Sequence, residues 1–133
     1  MGVYDSYRTE TELEQGGVVL DFGDYSVKIA RAGGANLRFA RVFEALTKPF
    51  RRAIQNETLS EDKAKDIAYQ SYAEAIVLGW TNMKGRDGKE IPFSKENVIA
   101  LFRDLPEFFL TIQQEAQRIS NFRREAQKDE AKN

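Results

Sequence analysis

Residues 67–80, IAYQSYAEAIVLGW, decide how the rest of the chain is read. On a helical wheel of about 100° per residue their apolar side chains do not keep to one face. Ile67, Ala68, Tyr72, Ala75 and Leu78 cover one side, while Ala73, Ile76, Val77 and Trp80 cover much of the other. A helix that is apolar nearly all round is enclosed by several neighbours. The residues before it, Ser60 to Asp66, are charged. Ser60 is a natural N-cap, and Glu61 and Asp62 suit the positive end of the helix dipole. The pattern predicts one central helix, wet at its start, buried at its end, and leaving through Gly79 near Thr81. Trp80 and Phe93 are expected to be substantially buried.

Toward the N-terminus, Val18, Leu20 and Phe22 alternate with Val19 and Asp21, and Tyr25, Val27 and Ile29 alternate with Ser26 and Lys28. Gly23-Asp24 between them fits a two-residue type II′ turn, because glycine comes first. That turn pairs Phe22 with Tyr25, Leu20 with Val27 and Val18 with Ile29 on one face. A lone hairpin is marginal in water. The hairpin over 18–30 therefore either leans on the helices or pairs its edges with another subunit. Residues 1–16 are polar without a period and read as a flexible arm. Gly33-Gly34 lacks the spacing of a phosphate-binding fingerprint and reads as a connector. It leads into a helix over Asn36–Asn56 with Phe39, Val42, Phe43, Leu46, Phe50, Ala53 and Ile54 on one face. Pro49 predicts a kink or break there. Arg38, Arg41, Lys48 and Arg52 fall within about a quarter-turn, as a solvated face or as a stripe for an acidic partner.

Toward the C-terminus, residues 82–92, NMKGRDGKEIP, are turn-rich and carry the hairpin-type dipeptide Asp87-Gly88. Ser94 caps a third helix whose apolar face is Val98, Leu101, Phe102 and Leu105. Asp104, Pro106 and Glu107 read as the start of a fourth, running toward Lys128. Phe108, Phe109, Ile112, Ala116, Ile119, Phe122 and Ala126 form its stripe. Ile119, Phe122 and Ala126, flanked by Arg123 and Arg124, make an amphipathic seam that either packs within the monomer or meets a partner. Residues 129–133 should fray. The fold class is mainly α (α+β): one domain over 17–128, with four principal helices and an N-terminal β-hairpin.

At 133 residues, 41% of them hydrophobic, the chain has the length and composition of one folded domain. Twenty basic against 21 acidic residues leave a net charge of −1, which argues against bulk electrostatic binding to nucleic acid. No apolar run approaches the length of a membrane span. With no cysteine and no histidine, thiolate chemistry, the commonest general base and the commonest metal ligand are all missing. No paired catalytic set stands out among the carboxylates, tyrosines, lysines and serines. The expectation is a binding protein with no catalytic residue, no cofactor and no metal, and neither nucleic acid nor membrane as partner.

Gly79-Trp80, Asp87-Gly88, Ile91-Pro92-Phe93-Ser94, Glu96-Asn97 and Pro106, in that order between Val77 and Ala116, resemble the tail assembly chaperones of long-tailed, lambda-like siphovirus bacteriophages. The resemblance covers about forty of the 133 residues. It implies a non-enzymatic protein of the host cytoplasm that coats the long tape measure protein. The coat keeps that protein soluble until tail tube subunits polymerise around it, and is absent from the mature virion. It further implies a longer product of a minus-one ribosomal frameshift, through which the tail tube protein would be met. Ala131-Lys132-Asn133 permits the slippery codons GCA AAA AAC. A homo-oligomer fits the coating role. The resemblance carries over no site residue; the two surfaces named above rest on the helical wheels alone. The alternative is another helical interaction adaptor, or a phage structural protein without chaperone activity.

Overall fold

The computed structural model describes residues 2–123. Helices α1 (Val3–Tyr7) and α2 (Thr11–Gly16) precede strands β1 (Val18–Asp21) and β2 (Ser26–Ile29). Helix α3 (Leu37–Thr47) passes through a 3-10 turn, Lys48–Phe50, into α4 (Arg51–Gln55). Then come α5 (Glu61–Ala75), β3 (Val77–Thr81), α6 (Lys95–Asp104), α7 (Pro106–Gln117) and a 3-10 turn at Ile119–Phe122. The class is the expected α+β: α3, α5, α6 and α7 carry the bulk, and a small antiparallel sheet lies against them. Pro49 ends α3 by the expected break, since it cannot donate to the helix ladder.

The hairpin forms in the predicted register, with Val18 opposite Ile29 and Leu20 opposite Val27. Phe22 N–H donates to Tyr25 O (3.0 Å), and their rings stack 5.0 Å apart. Gly23 takes φ 93°, the left-handed conformation its turn position requires.

The central helix is shorter than its sequence suggested. It stops at Ala75, and after Ile76 the chain becomes β3, which pairs antiparallel with β2 to give the order β1-β2-β3. The apolar residues that seemed to wrap a helix belong to two elements. Short apolar runs cannot be divided between helix and strand by periodicity, and the β-branched pair Ile76-Val77 favours the strand. Lys28 faces Gly79 and Ile29 faces Val77, so Leu78 is the extra residue of a bulge. The hairpin thus gains a third strand from its own chain and also leans on the helices.

Val18, Leu20, Val27 and Ile29 face inward and are buried with Tyr69, Tyr72, Ala73 and Ile76. Helix α6 adds Val98 and Phe102, and α7 adds Phe109, Ile112 and Ala116. Phe109 is the aromatic hub. Its ring meets Tyr69, Phe102 and Tyr72 edge-on at 4.8, 5.1 and 5.2 Å. Such pairs contribute about 0.5–1.5 kcal/mol each beyond area burial.

Ser60 and Ser94 cap α5 and α6 as expected, accepting from Lys63 N–H and Asn97 N–H, each at 3.1 Å. Other expectations need correction. Leu105, not Asp104, occupies the cap position of α7, and Pro106 opens the helix. Helix α7 ends at Gln117 instead of running toward Lys128. There Asn121 Nδ2 hooks back onto Glu115, donating to its carbonyl and its carboxylate. Residues 1–16 hold two short helices, and Glu14 is buried. The fraying expected over 129–133 lies outside the described residues. Trp80 is half-buried, and Phe93, expected inside, is 41% exposed with its ring edge-on to Trp80 at 5.2 Å. The Trp80 indole donates to Ile91 O at 2.9 Å, which holds the loop after β3 against the strand.

Phe102→Ala is expected to cost about 3–5 kcal/mol, because the ring is fully buried. Trp80→Phe should cost about 1 kcal/mol, the loss of one hydrogen bond. Chemical denaturation measures both. Equal costs would contradict this core.

Candidate partner-binding surface

The α3–α4 layer differs from every other long element in one respect. It is amphipathic, yet no residue of α3, the 3-10 turn or α4 is buried. Phe39, Val42, Leu46 and Phe50 are half-buried, while Phe43 and Ile54 are 45% and 42% exposed. The rings of this layer continue the core outward. Phe39 meets Tyr72 edge-on at 5.4 Å, and Phe43 follows Phe39 at 6.3 Å. Burial raises the Tyr72 phenol above its ordinary value, against hydrogen bonds to Gln117 and Gln113. The aromatic row therefore runs from Phe109 through Tyr72 and Phe39 to Phe43 in solvent.

All four cations of the predicted stripe, Arg38, Arg41, Lys48 and Arg52, are exposed, and Arg51 joins them. Among the described residues none of the five forms an ion pair within 4.0 Å. Arg38 and Arg41 share a flank of α3. Each residue of the 3-10 turn advances about 20° more than in an α-helix, so Arg52 is re-phased on a separate short helix. The single wheel drawn across Pro49 therefore does not hold. Nearby, Glu74 is held below the usual carboxylate range. The hydrogen bond from Lys95 Nζ (2.8 Å) comes first; burial opposes it, and the charges of Lys95 and Arg38 assist.

A buried polar junction sets the direction of α3. Glu14 Oε2 accepts from Ala35 N–H and from Arg31 Nη1, each at 2.9 Å, and Thr9 donates to Oε1. Asn36 Nδ2 donates to Arg31 O (2.9 Å) and to Ala75 O at the end of α5 (3.0 Å). Gly33-Gly34 is a connector, as expected, but the backbone after it does hold an anion, and that anion is the chain's own Glu14. Gly34 has φ 53°, and a Cβ there would overlap Glu14 Oε2. Burial pulls the Glu14 carboxyl up. The hydrogen bonds from Thr9, Ala35 and Arg31, with the Arg31 charge, outweigh it and leave the carboxyl below its ordinary value of 4.5.

Among the described residues, the C-terminal seam is not a free surface. Phe122 is fully buried, and Ile119 is half-buried. Arg123 reaches Ser6 O through Nη2, and Glu10 N–H donates to Phe122 O at 2.9 Å. The N-terminal segment thus covers the seam, and Phe122 packs within the monomer. Arg124 and Ala126 lie outside the described residues. Of the two predicted surfaces, the basic one is exposed, and among the described residues of the seam Phe122 is covered.

Sequence reasoning missed a cleft of about 640 Å³ between the hairpin turn and the α6–α7 elbow. Tyr25, Met83, Lys84, Leu101, Leu105 and Phe108 line it. In the sequence Leu101 and Leu105 belong to the apolar face of the third helix, and nothing in that pattern separates a cleft wall from a core position. Among the described residues no group of His, Cys, Asp or Glu could hold a metal ion, and no helix is long and apolar enough to cross a membrane.

Gly88, Pro92 and Asn97 of the Gly79–Pro106 pattern hold the loop before α6. Gly88 (φ 77°) closes a tight loop in which Gly88 N–H donates to Gly85 O and Gly85 N–H to Lys89 O. Asn97 Nδ2 donates to Pro92 O at 2.8 Å, tying that loop to the start of α6. Compared with known families, residues 33–133 match the model of the YdaY prophage protein family. The chain belongs to that family. The match begins at Gly33, so it contains the α3–α4 layer and everything after it. This is a prophage protein. No curated protein and no solved structure matches the chain.

Gly34→Ala is expected to destabilise by about 1–3 kcal/mol, from backbone strain and displacement of Glu14. Glu14→Gln should act in the same direction at neutral pH. Because the folded Glu14 value is depressed, its contribution is complete above the unfolded value near 4.5 and disappears as the pH falls through the lower folded value. Denaturation midpoints of wild type and Glu14→Gln should therefore converge on acidification. A constant gap down to strongly acidic pH would contradict the clamp.

Proposed function

We propose that this prophage protein is a tail assembly chaperone, which binds the tape measure protein of its phage and keeps it soluble while tail tube subunits assemble around it. The observation that carries the reading is the α3–α4 layer, an amphipathic pair of helices with no buried residue in the family-matched part of the chain. A tape measure protein is long and exposes apolar surface before the tube encloses it, so it needs cover. Many copies of a small domain with a half-covered apolar face supply that cover by binding the soluble state, which mass action then favours. The resemblance in Gly79–Pro106 points to the same role. The protein acts in the host cytoplasm, does no covalent chemistry, and leaves before the virion is complete. A frameshifted longer product links it to the tail tube protein.

Co-expression with the tape measure protein encoded downstream tests the reading. The wild-type chain should hold the tape measure protein in the supernatant and co-purify with it, and the tape measure protein alone should pellet. A tape measure protein that pellets equally with and without the chain removes the chaperone role.

A further inference from the structure

We propose that residues 3–16 form a strap that opens as a unit on a hinge at Gly16-Gly17, with the Glu14 carboxylate as its catch, and that opening uncovers Phe122. The strap differs from the rest of the molecule in what holds it. Helix α1 buries no residue, and α2 buries only Glu14. Leu13 is the strap's one apolar side chain packed against the core, and it is half-buried. The other attachments are polar. Glu10 N–H donates to Phe122 O, Arg31 N–H donates to Glu14 O, and Gln15 Nε2 donates to Ala35 O at 3.1 Å. Arg123 reaches Ser6 O. A segment with so few buried apolar contacts opens locally, at a lower free energy than the whole chain.

The hinge lies where the strap meets the sheet. Gly17 has φ 96° and directly precedes β1. A Cβ there would press on Leu78 Cδ1 at 2.7 Å, so glycine lets the chain cross the bulge of β3. Beyond the hinge Val18 is fully buried, so opening stops at the sheet. At the far end the strap lies against Phe122, also fully buried. The catch works through one carboxylate because bonds from three places end on it. They come from the Thr9 hydroxyl within the strap, from Arg31 Nη1 after β2, and from Ala35 N–H before α3. Among the described residues Arg31 is the charged group that faces it. A carboxylate accepts all three bonds. A carboxylic acid or an amide loses the charge that Arg31 answers and gives up one acceptor position. Proton uptake at Glu14 therefore favours the open strap. The opening constant rises as the pH falls from the ordinary carboxyl value of 4.5 to the lower value of the closed form. Open, the strap adds the ring of Phe122 to the apolar surface that a partner can reach.

Native-state amide exchange on the whole chain, taken relative to the intrinsic rate at each pH, tests the strap. The amides of Glu10, Glu14 and Gly17 should share one protection factor, about tenfold or more below that of the core amides of α6 and α7. Glu14→Gln should lower the strap's protection by about tenfold or more at neutral pH, and the two proteins should converge on acidification. Chymotrypsin at neutral pH reads Phe122 directly. Cleavage after Phe122, identified by fragment mass, should accelerate in Glu14→Gln by the same factor as strap exchange, while Phe102 and Phe109 stay uncut. If circular dichroism shows Glu14→Gln unfolded, Thr9→Ala replaces it; it removes one of the bonds to Glu14 and should act in the same direction, with a smaller factor. Strap amides as protected as the core, or unchanged by the substitution, overturn the proposal. So does faster strap exchange without faster cleavage after Phe122, which shows that the strap is not what covers the ring.

Discussion

The pairing of β3 with β2 constrains everything else in the molecule. Only Ile76 separates α5 from β3, so once Val77–Thr81 lies against Ser26–Ile29, helix α5 has no freedom to leave the inner face of the sheet. The junction is locked on both sides. Ala30 N–H donates to Ile76 O at 2.8 Å, and the Asn36 side chain donates to Ala75 O. The sheet then needs a cover for Val18, Leu20, Val27 and Ile29, and Tyr69, Tyr72 and Ile76 provide it. Helices α6 and α7 close the other side of α5 through Phe102 and Phe109. Apolar burial supplies the driving force, but the short link between helix and strand determines where it acts.

One consequence is that the aromatic rows on the two flanks of α5 end differently. On the α6–α7 flank the aromatic side chains meet one another and exclude water. On the α3–α4 flank the same kind of row continues outward and ends in solvent at Phe43. The Glu14 junction holds α3 in that position from outside the family-matched span, since Glu14 lies before Gly33. A rigidly held, half-covered amphipathic helix suits binding, because little ordering entropy is lost when its partner arrives.

How much of this was legible in the sequence follows from how local each signal is. The hairpin could be read to the register, because Gly23-Asp24 and the period-two alternation sit within a dozen residues. The caps at Ser60 and Ser94 and the break at Pro49 were equally local. Strand β3 was not legible: Ile76–Trp80 is too short and too uniformly apolar for any period to separate helix from strand. The stop of α7 at Gln117 has neither glycine nor proline to announce it, because it depends on Asn121 turning back to Glu115. That stop decides between the two readings of the seam for Phe122, which packs within the monomer. The Glu14 clamp could not be read either, since its partners lie about twenty residues away and nothing in a polar stretch distinguishes a buried carboxylate from a solvated one. The basic residues of α3 and α4 were legible as charges, but not their arrangement, because the 3-10 turn at Pro49 re-phases Arg52; that the apolar residues of this layer stay half-covered required the packing.

Amide hydrogen exchange, compared between the free chain and its complex with the tape measure protein, tests the central claim most directly. The account predicts slowed exchange concentrated in residues 37–56, with the 118–123 segment, whose Phe122 is already buried, unchanged. Protection confined to 118–123, with 37–56 exchanging as in the free chain, would contradict it.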